Sequence, residues 1–446
     1  MVSGVGGRRQ HARLQLATDC RLSRRRGGGG SGGRCGMSAT PCRVCGQPLH
    51  LSLVDLGLSP MANSIVLPDR SDRPEPFYPL HPKVCEACFL VQLPQFESPS
   101  DIFSDYSYFS SYSDSWLAHC RGYADRMVED LGLGSAHRVV EIASNDGYLL
   151  QYFAARGVPV LGIEPAQNVA AVAQARGIPT VSDFFGTVTA TRLAAAGGRA
   201  DLLIANNVLA HVPDLNDFVA GLKILLRPGG TLTLEFPHVL RLLERCQFDT
   251  IYHEHFSYFW LHTVRQCFAA HGLAVIDSEE LPTHGGSLRV FAAHAGERLM
   301  PSARVAELLA QEELAGMRHT AAYRRFAESV KEIKRGLLEF LIAARRQGKS
   351  VVGYGAAAKG NTLLNYAGIR TDFLDYVADR SPHKQGRLLP GSRIPIVAPE
   401  RIAETRPDYV LVLPWNLRDE ISEQLRCVRE WNGRLVVPIP RFEVLP

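Results

Sequence analysis

Between Arg138 and Pro237, short apolar runs alternate with stretches of helical spacing. The run "RVVEI" is rich in β-branched residues and ends next to an acid. A polar turn, "ASNDG", follows, and then "YLLQYFAARG" with helical periodicity. "VPVLGIEP" is a second buried run, ending at Glu164, and "ADLLIANNVLAHV" is a third. "LNDFVAGLKILL" continues as a helix, and "RPGG" turns into a fourth run, "TLTLEFP". Strands alternating with helices predict a parallel sheet of βαβ units. The same grammar returns in "SVVGYGAAAKGNTLLNYAG", in "LDYVAD" with a strand ending at Asp379, and in "DYVLVLPWN". Charged residues at helical spacing over 304–347 predict a connecting helix pair between the two units. Earlier in the chain, "LSLVDLGLSPMANSIVLP" predicts strands and turns, because its prolines break any helix.

A chain of 446 residues has room for two or three cores. With 46% hydrophobic and 21% charged residues, it has the balance of a globular protein, and no run is long enough to span a membrane. The net charge of +4 conceals an uneven distribution. Residues 1–36 hold eight arginines against Asp19, a segment charge of +7 that leaves −3 on the remainder. A mildly acidic body argues against nucleic acid as a partner. The leader has few large apolar residues and lacks the apolar core of a secretory signal. It is expected to be disordered, with Met37 as a natural start for the folded chain. A basic interaction tail is the alternative. A cytoplasmic protein is expected, and the oligomeric state stays open, with a monomer compatible.

Eight cysteines follow the leader. Without an export signal they are expected to be reduced, so metal spacing comes before disulfides. Cys42 and Cys45 form one C-x-x-C, and Cys85 and Cys88 form another. Four thiolates suit a tetrahedral structural zinc, whose closed shell leaves no open position for catalysis. Two reduced knuckles without metal are the alternative.

Ligands of open α/β sheets sit at the C-terminal ends of the strands. Glu141 ends the first strand, and Asn145, Asp146 and Gly147 form the turn after it, where backbone N–H groups can face a ligand. Glu164 at the end of the second strand is placed to accept bonds from ribose hydroxyls. No G-x-G-x-x-G is present there to hold a pyrophosphate, so an adenosyl ligand without phosphates fits better than a nicotinamide dinucleotide. Alternatively, Glu164 caps the next helix and Asp146 makes a turn. The ordered set resembles the class I S-adenosylmethionine-dependent methyltransferases. In that family glycine usually stands where this chain has Ala143, so the backbone can approach the methionine portion differently here.

The resemblance narrows with the C-x-x-C pairs, "SNDGYLL", "NNVLAHVPD", "LRPGGTLTLEFPH", "YHEHFSYF" and "GYGAAAKGNTLLN", in that order. Together they resemble the bacterial C-methyltransferases that act on nucleotide-linked keto-deoxysugars. The likeness covers about residues 40–440. It implies an α/β architecture: a class I methyltransferase (Rossmann-like) domain flanked by a small zinc-binding domain and a second Rossmann-like domain. The expected bounds are 37–100 for the zinc domain, 101–300 for the methyltransferase, and 301–446 for the helical connector and C-terminal unit. It also implies S-adenosylmethionine, a structural zinc and a thymidine-diphosphate keto sugar as substrate.

Methylating a carbon beside a ketone needs a base, a stabiliser for the enolate oxygen, and an aligned methyl donor. In "YHEHF", an extended strand would turn Tyr252 and Glu254 to one face and His253 and His255 to the other. A turn would break that parity. H-E-H lacks the H-E-x-x-H spacing of a metalloprotease helix, so a metal is disfavoured there. The resemblance implies that Glu254 and His255 lie at the reacting centre with His255 as base, supported by Tyr252 and His253. It places His211 near the substrate, in a binding or enolate-polarising role; a backbone-bonded helix-end histidine is the alternative. Asn206 and Asn207 either meet the cofactor or only end their strand, and Tyr106 either lines the cleft or belongs to an interdomain seam. Gly355 and Lys359 in "GYGAAAKGN" can receive a diphosphate, with Lys384 and Arg387 as further phosphate contacts. A tight strand-to-helix turn is the plain alternative. Two rival functions remain: an O- or N-methyltransferase on a small metabolite, and a non-enzymatic zinc-containing binding protein.

Overall fold

The computed structural model describes residues 40–103, 110–112, 114–297 and 300–445. The arginine-rich leader and Tyr106 lie outside them. The first strands are two residues each: β1 (Leu51–Ser52), β2 (Leu58–Ser59), β3 (Tyr78–Pro79), β4 (Lys83–Val84) and β5 (Val91–Gln92). β1, β4 and β5 pair antiparallel, and β2 pairs with β3 within the segment between the cysteine knuckles. Strands this short cannot hold themselves together. Their stability comes from buried Leu53, Leu80, Val84, Leu90 and Leu93, and from the cysteine cluster beside them.

A seven-stranded sheet carries the middle of the chain. It contains β6 (Val139–Ile142), β7 (Val160–Ile163), β8 (Thr180–Val181), β9 (Ala200–Asn206) and β10 (Leu226–Pro237). After β11 (Ser257–Tyr258), it is completed by β12 (Leu273–Leu281) and β13 (Ser287–His294). Its order is β12-β13-β10-β9-β6-β7-β8. The four predicted βα strands are parallel and are joined by β8, which was not predicted; all four residues of β6 are buried, as expected for a strand covered on both faces. β10 runs through "RPGG", where the register shifts between Leu226 and Thr231, so the expected turn is a bulge within a longer strand. The antiparallel pair β12–β13 was not predicted. Its strands are joined by "PTHGG", in which His284, Gly285 and Gly286 all have positive φ (53°, 90° and 123°).

β11 leaves this sheet. It pairs antiparallel with β5, giving the small sheet the order β1-β4-β5-β11. The segment after "YHEHF" is therefore an edge strand of the cysteine-bearing region.

Helices Ala303–Leu314 and Thr320–Arg346 form the predicted connector. The second buries Tyr323, Phe326, Val330, Ile333, Leu337, Leu341 and Ala344, one stripe at helical spacing. Beyond it stands a six-stranded sheet of β14 (Val351–Tyr354), β15 (Val377–Ala378), β16 (Ile396–Val397), β17 (Tyr409–Val412), β18 (Arg434–Val437) and β19 (Glu443–Val444). Its order is β16-β15-β14-β17-β18-β19, parallel except for β19. One apolar core joins residues of the N-terminal sheet, the connector and this last sheet. Among the described residues, no helix is long and apolar enough to cross a membrane.

The connector is locked by a buried carboxylate. Glu312 accepts from Leu261 N (2.7 Å) and His262 N (3.3 Å), donors at the start of the helix Leu261–Ala270 that lack an intrahelical partner, and pairs with His238 Nε2 (2.9 Å). Burial would push His238 down, but its bonds to Glu280 and Glu312 outweigh this and raise it. A raised folded-state value means that this stabilisation is complete below the usual imidazole value of about 6.5. It is lost as pH climbs through the raised value. Urea midpoints should fall over that window, and His238→Gln should flatten the fall. Glu312→Ala should cost about 3 kcal/mol or more, since it strands buried donors and the imidazolium.

Candidate active site

The four predicted cysteines converge. Their sulfurs all lie within 4.8 Å of one another, with Cys42–Cys88 and Cys45–Cys85 at 3.5 Å. Tetrahedral zinc with Zn–S bonds of about 2.3 Å needs sulfurs roughly 3.8 Å apart, so the quartet fits that ion. Gln92 Nε2 donates to Cys42 Sγ at 3.2 Å, and Gln92 also accepts from Arg43 N. Gln92 lies on β5, the strand that holds β11.

At the end of β6 the backbone turns sharply. Ala143, Asn145 and Gly147 all have positive φ (55°, 49° and 78°). This is the left-handed region, costly for alanine, and it explains why glycine is the natural residue at 143. Glu141 is fully buried, and burial pushes its carboxyl well above the usual range, against the pull of the Tyr148 hydroxyl. Glu164 accepts from Asn145 N and Ala166 N, both at 2.9 Å. It thus braces the turn and also contacts the residue before helix Gln167–Ala175, as the alternative reading of this residue described. Asn145 Oδ1 accepts from Ser110 N, and Asp146 Oδ2 meets Ser111 and Arg176 (3.1 Å). Asp146 Oδ1 and Asn206 Oδ1 are buried without a partner among the described residues. Asn207 has φ 53° and donates its N–H to Glu235 O. Strained backbone and unspent buried acceptors at the C-terminal edge of the sheet fit a small polar ligand such as the adenosyl group.

"YHEHF" forms a turn, not an extended strand: His255 N donates to Tyr252 O at 2.9 Å. The parity of a strand is broken, and the two histidines part. His253 Nε2 bonds Pro79 O at 3.2 Å and its ring sits edge-on to Tyr78 and Phe96. It anchors the turn on the inter-knuckle segment. His255 instead packs on Tyr252 (ring centroids 4.0 Å) and edge-on to His211 (4.7 Å). His255 Nδ1 bonds Thr250 O at 2.9 Å, and His211 Nδ1 bonds Glu254 O at 2.8 Å. A carbonyl can only accept, so both Nδ1 atoms carry the proton and both Nε2 atoms keep a lone pair. Burial holds His211 down at about 4. Burial, with His211 and Lys359 nearby, drives His255 well below its usual value. Both rings are therefore neutral at physiological pH. Glu254 is buried, and both its oxygens take bonds from Asn63 Nδ2 (2.7 and 2.8 Å); burial lifts it to about 7.

The "GYGAAAKGN" loop comes to the same place. Gly355 has φ 90°, and a Cβ there would fall 2.3 Å from Pro414 Cγ. Lys359 Nζ bonds Asn416 Oδ1 at 3.2 Å and lies 5.1 Å over the Trp415 ring. Thr362 Oγ1, on the same helix, bonds Ile251 O at 3.1 Å. Lys384 Nζ donates to Ala356 O at 2.8 Å, and Arg387, partly exposed, follows it in the same turn.

Several residues of the cleft carried no signal in the sequence. Asp249 is fully buried and accepts from Trp415 Nε1 at 2.7 Å. Glu235, at the end of β10, takes His119 Nε2 (3.0 Å), Arg289 Nη2 (2.7 Å) and Thr283 Oγ1 (2.8 Å). Burial would raise its carboxyl, but these partners hold it at about 2. Trp116 stacks on His119 (5.1 Å) and tilts against His284 (5.3 Å). His119 and Trp116 lie on the helix Asp114–Asp130, where only helical spacing could be read, and Asn63 lies 191 residues from its partner.

A C-methyltransferase from Streptomyces niveus, NovU, is 38% identical over 404 residues, which cover 91% of this chain and 96% of that protein. The chain belongs to the C-methyltransferase family. Family models agree in order along it: a zinc binding domain over 42–103, a methyltransferase domain over 116–278 and a C-methyltransferase C-terminal domain over 282–440. The chain is an S-adenosylmethionine-dependent methyltransferase with a structural zinc site. A ubiquinone biosynthesis O-methyltransferase from Rhizobium etli is 31% identical over 99 residues, 21% of this chain and 39% of that one. A solved magnesium protoporphyrin IX methyltransferase from Synechocystis, with bound S-adenosylmethionine, aligns at 18% identity and a TM-score of 0.31, covering 41% of this chain and 82% of that one.

Two outcomes follow from this C-methyltransferase's geometry. Stripping zinc with a chelator, or Cys85→Ser, should lower both thermal stability and methyl transfer; added zinc should restore only the chelated wild type. Ala143→Gly should raise stability by about 0.5–1 kcal/mol in thermal unfolding, by relieving a left-handed alanine.

Proposed function

We propose that this enzyme methylates the carbon α to the ketone of a nucleotide-linked 4-keto-deoxysugar, with thymidine diphosphate as the nucleotide part. The observation that supports this best is the tautomer of His255. Its Nδ1–H is held by Thr250 O, so a neutral Nε2 is the basic atom, on a half-buried ring. His211 is arranged in the same way and lies against it. In this reading His255 removes the α-proton, while His211 and Tyr252 orient the substrate. Glu254, lifted to about 7 by burial and held by Asn63 Nδ2, is the proposed partner of His255 at the reacting centre. His253 positions the turn. S-adenosylmethionine, when bound, supplies an electrophilic methyl group. Glu141, Ala143, Asn145, Asp146, Gly147, Glu164, Asn206 and Asn207 surround the place where it would lie.

The loop at Gly355, with Lys384 and Arg387, is the proposed nucleotide end of the site. A charged nucleotide sugar stays inside the cell, which favours a cytoplasmic location. NovU carries the name C-methyltransferase, which supports attack by carbon.

Incubation with a keto sugar in deuterated water, without methyl donor, should exchange the α-proton. O- or N-methylation would need no such exchange. His255→Asn should slow exchange by roughly 10²–10⁴-fold. Normal turnover in that variant would remove His255 from the role of base.

A further inference from the structure

Proton removal from a ketone's α-carbon puts negative charge on oxygen, and that charge needs a donor or cation beside it. His211 and His255 cannot serve as those donors, because each spends its one N–H on a backbone carbonyl. We propose that Lys359, carried by the C-terminal α/β unit, contacts the ketone oxygen at the reacting centre and stabilises the enolate there, in place of binding the diphosphate. This rests on the enolate reading above.

Three observations carry it. The first is the direction of the side chain. Lys359 lies over the indole of Trp415, and that indole is the hub of the cleft. Its Nε1 bonds Asp249 Oδ2, one residue before Thr250, whose carbonyl holds His255. The other edge of the indole touches the "THGG" turn, because a Cβ on Gly285 would stand 2.6 Å from Trp415 Cη2. The ammonium is thus placed between the turn that holds His255 and the turn that carries His284. Its charge is felt at both imidazoles, and it helps to hold both low.

The second observation is the state of the supposed phosphate cradle. Ala356 N already donates to Asp379 Oδ2 at 2.7 Å, and Lys384 Nζ donates to Ala356 O. A carboxylate bonded to the loop N–H occupies a place where a diphosphate would need a donor, and it would repel one. Asp379 at a strand end suits ribose hydroxyls instead.

The third is spare capacity. Of three ammonium N–H donors, one is engaged among the described residues, with the neutral amide of Asn416. Burial lowers the Lys359 ammonium from its ordinary value, and the buried Asp249 carboxylate opposes that shift and favours the charged form. The balance of the step is simple. The C–H pair becomes the enolate double bond, the carbonyl π pair moves to oxygen, and the proton passes to His255 Nε2. The oxygen is left anionic against the ammonium, which keeps its own protons.

The test compares Lys359→Met and Lys359→Arg with wild type in two measurements. One is donor-free α-proton exchange at saturating keto sugar. The other is calorimetric binding of thymidine diphosphate alone. Lys359→Met should slow exchange on the order of 10²–10³-fold, as loss of an oxyanion donor does. Lys359→Arg should recover part of the rate, and the thymidine diphosphate Kd should stay within about twofold. If Lys359→Met folds poorly beside Asp249, the double variant Lys359→Met/Asp249→Asn removes the stranded charge and should show the same split. Exchange within threefold of wild type in the folded variant would overturn the assignment. A tenfold weaker thymidine diphosphate Kd with exchange kept would overturn it in favour of the diphosphate. Absence of exchange in wild type would overturn the enolate reading itself, and the role of Lys359 with it.

Discussion

The pairing of Ser257 and Tyr258 with Val91 and Gln92 is the constraint on which the active site depends. Those two residues follow the catalytic turn directly, and their partners follow the second cysteine knuckle. Around them, Leu93 N donates to Phe256 O at 2.9 Å, Arg43 Nη1 donates to the same oxygen at 3.2 Å, and Trp260 Nε1 donates to Phe89 O at 3.2 Å. A two-residue strand has no stability of its own. It is fixed because the cysteine quartet fixes β5. A zinc held by the quartet would thus brace, through β5, the backbone that follows the "YHEHF" turn.

Three bodies of chain then share one cleft. The methyltransferase sheet supplies His211 and the strained turn after β6. The N-terminal region supplies Asn63 and the groove for His253. The C-terminal unit supplies Lys359 and Trp415. Their contacts are few but buried, and buried polar contacts tolerate little error in position. Most groups in the cleft are held away from their ordinary charge behaviour by burial: His211 and His255 neutral, Glu254 and Asp249 raised to about 7 and about 6. A site of this kind favours a reaction that creates and removes charge within the cleft.

Much of the fold was legible in the residues. Four of the βα strands of the central sheet, the connector pair and the second α/β unit follow from short apolar runs alternating with helical spacing. β12 and β13 were not seen. β12 alternates imperfectly, with a register shift between Val275 and Asp277, and the "PTHGG" turn gives no two-residue hairpin signal. The histidine pair was also half legible. Composition marked "YHEHF" as chemical, but its facing was decided by a turn whose hydrogen bond closes inside the motif.

By itself, the sequence determined the parts: four thiols at knuckle spacing, acids at strand ends, a polar turn after the first strand, and a histidine-rich segment after a strand. These depend on residues near one another along the chain, so local periodicity and spacing reveal them. Only the tertiary structure decided which groups meet. Glu254 finds Asn63 across 191 residues, and Asp249 finds Trp415 across 166. Lys359, on the helix Ala358–Ala367, meets Asn416 and Trp415 from 56–57 residues away. Such pairings are set by how three sheets pack, and no local pattern in the chain encodes them.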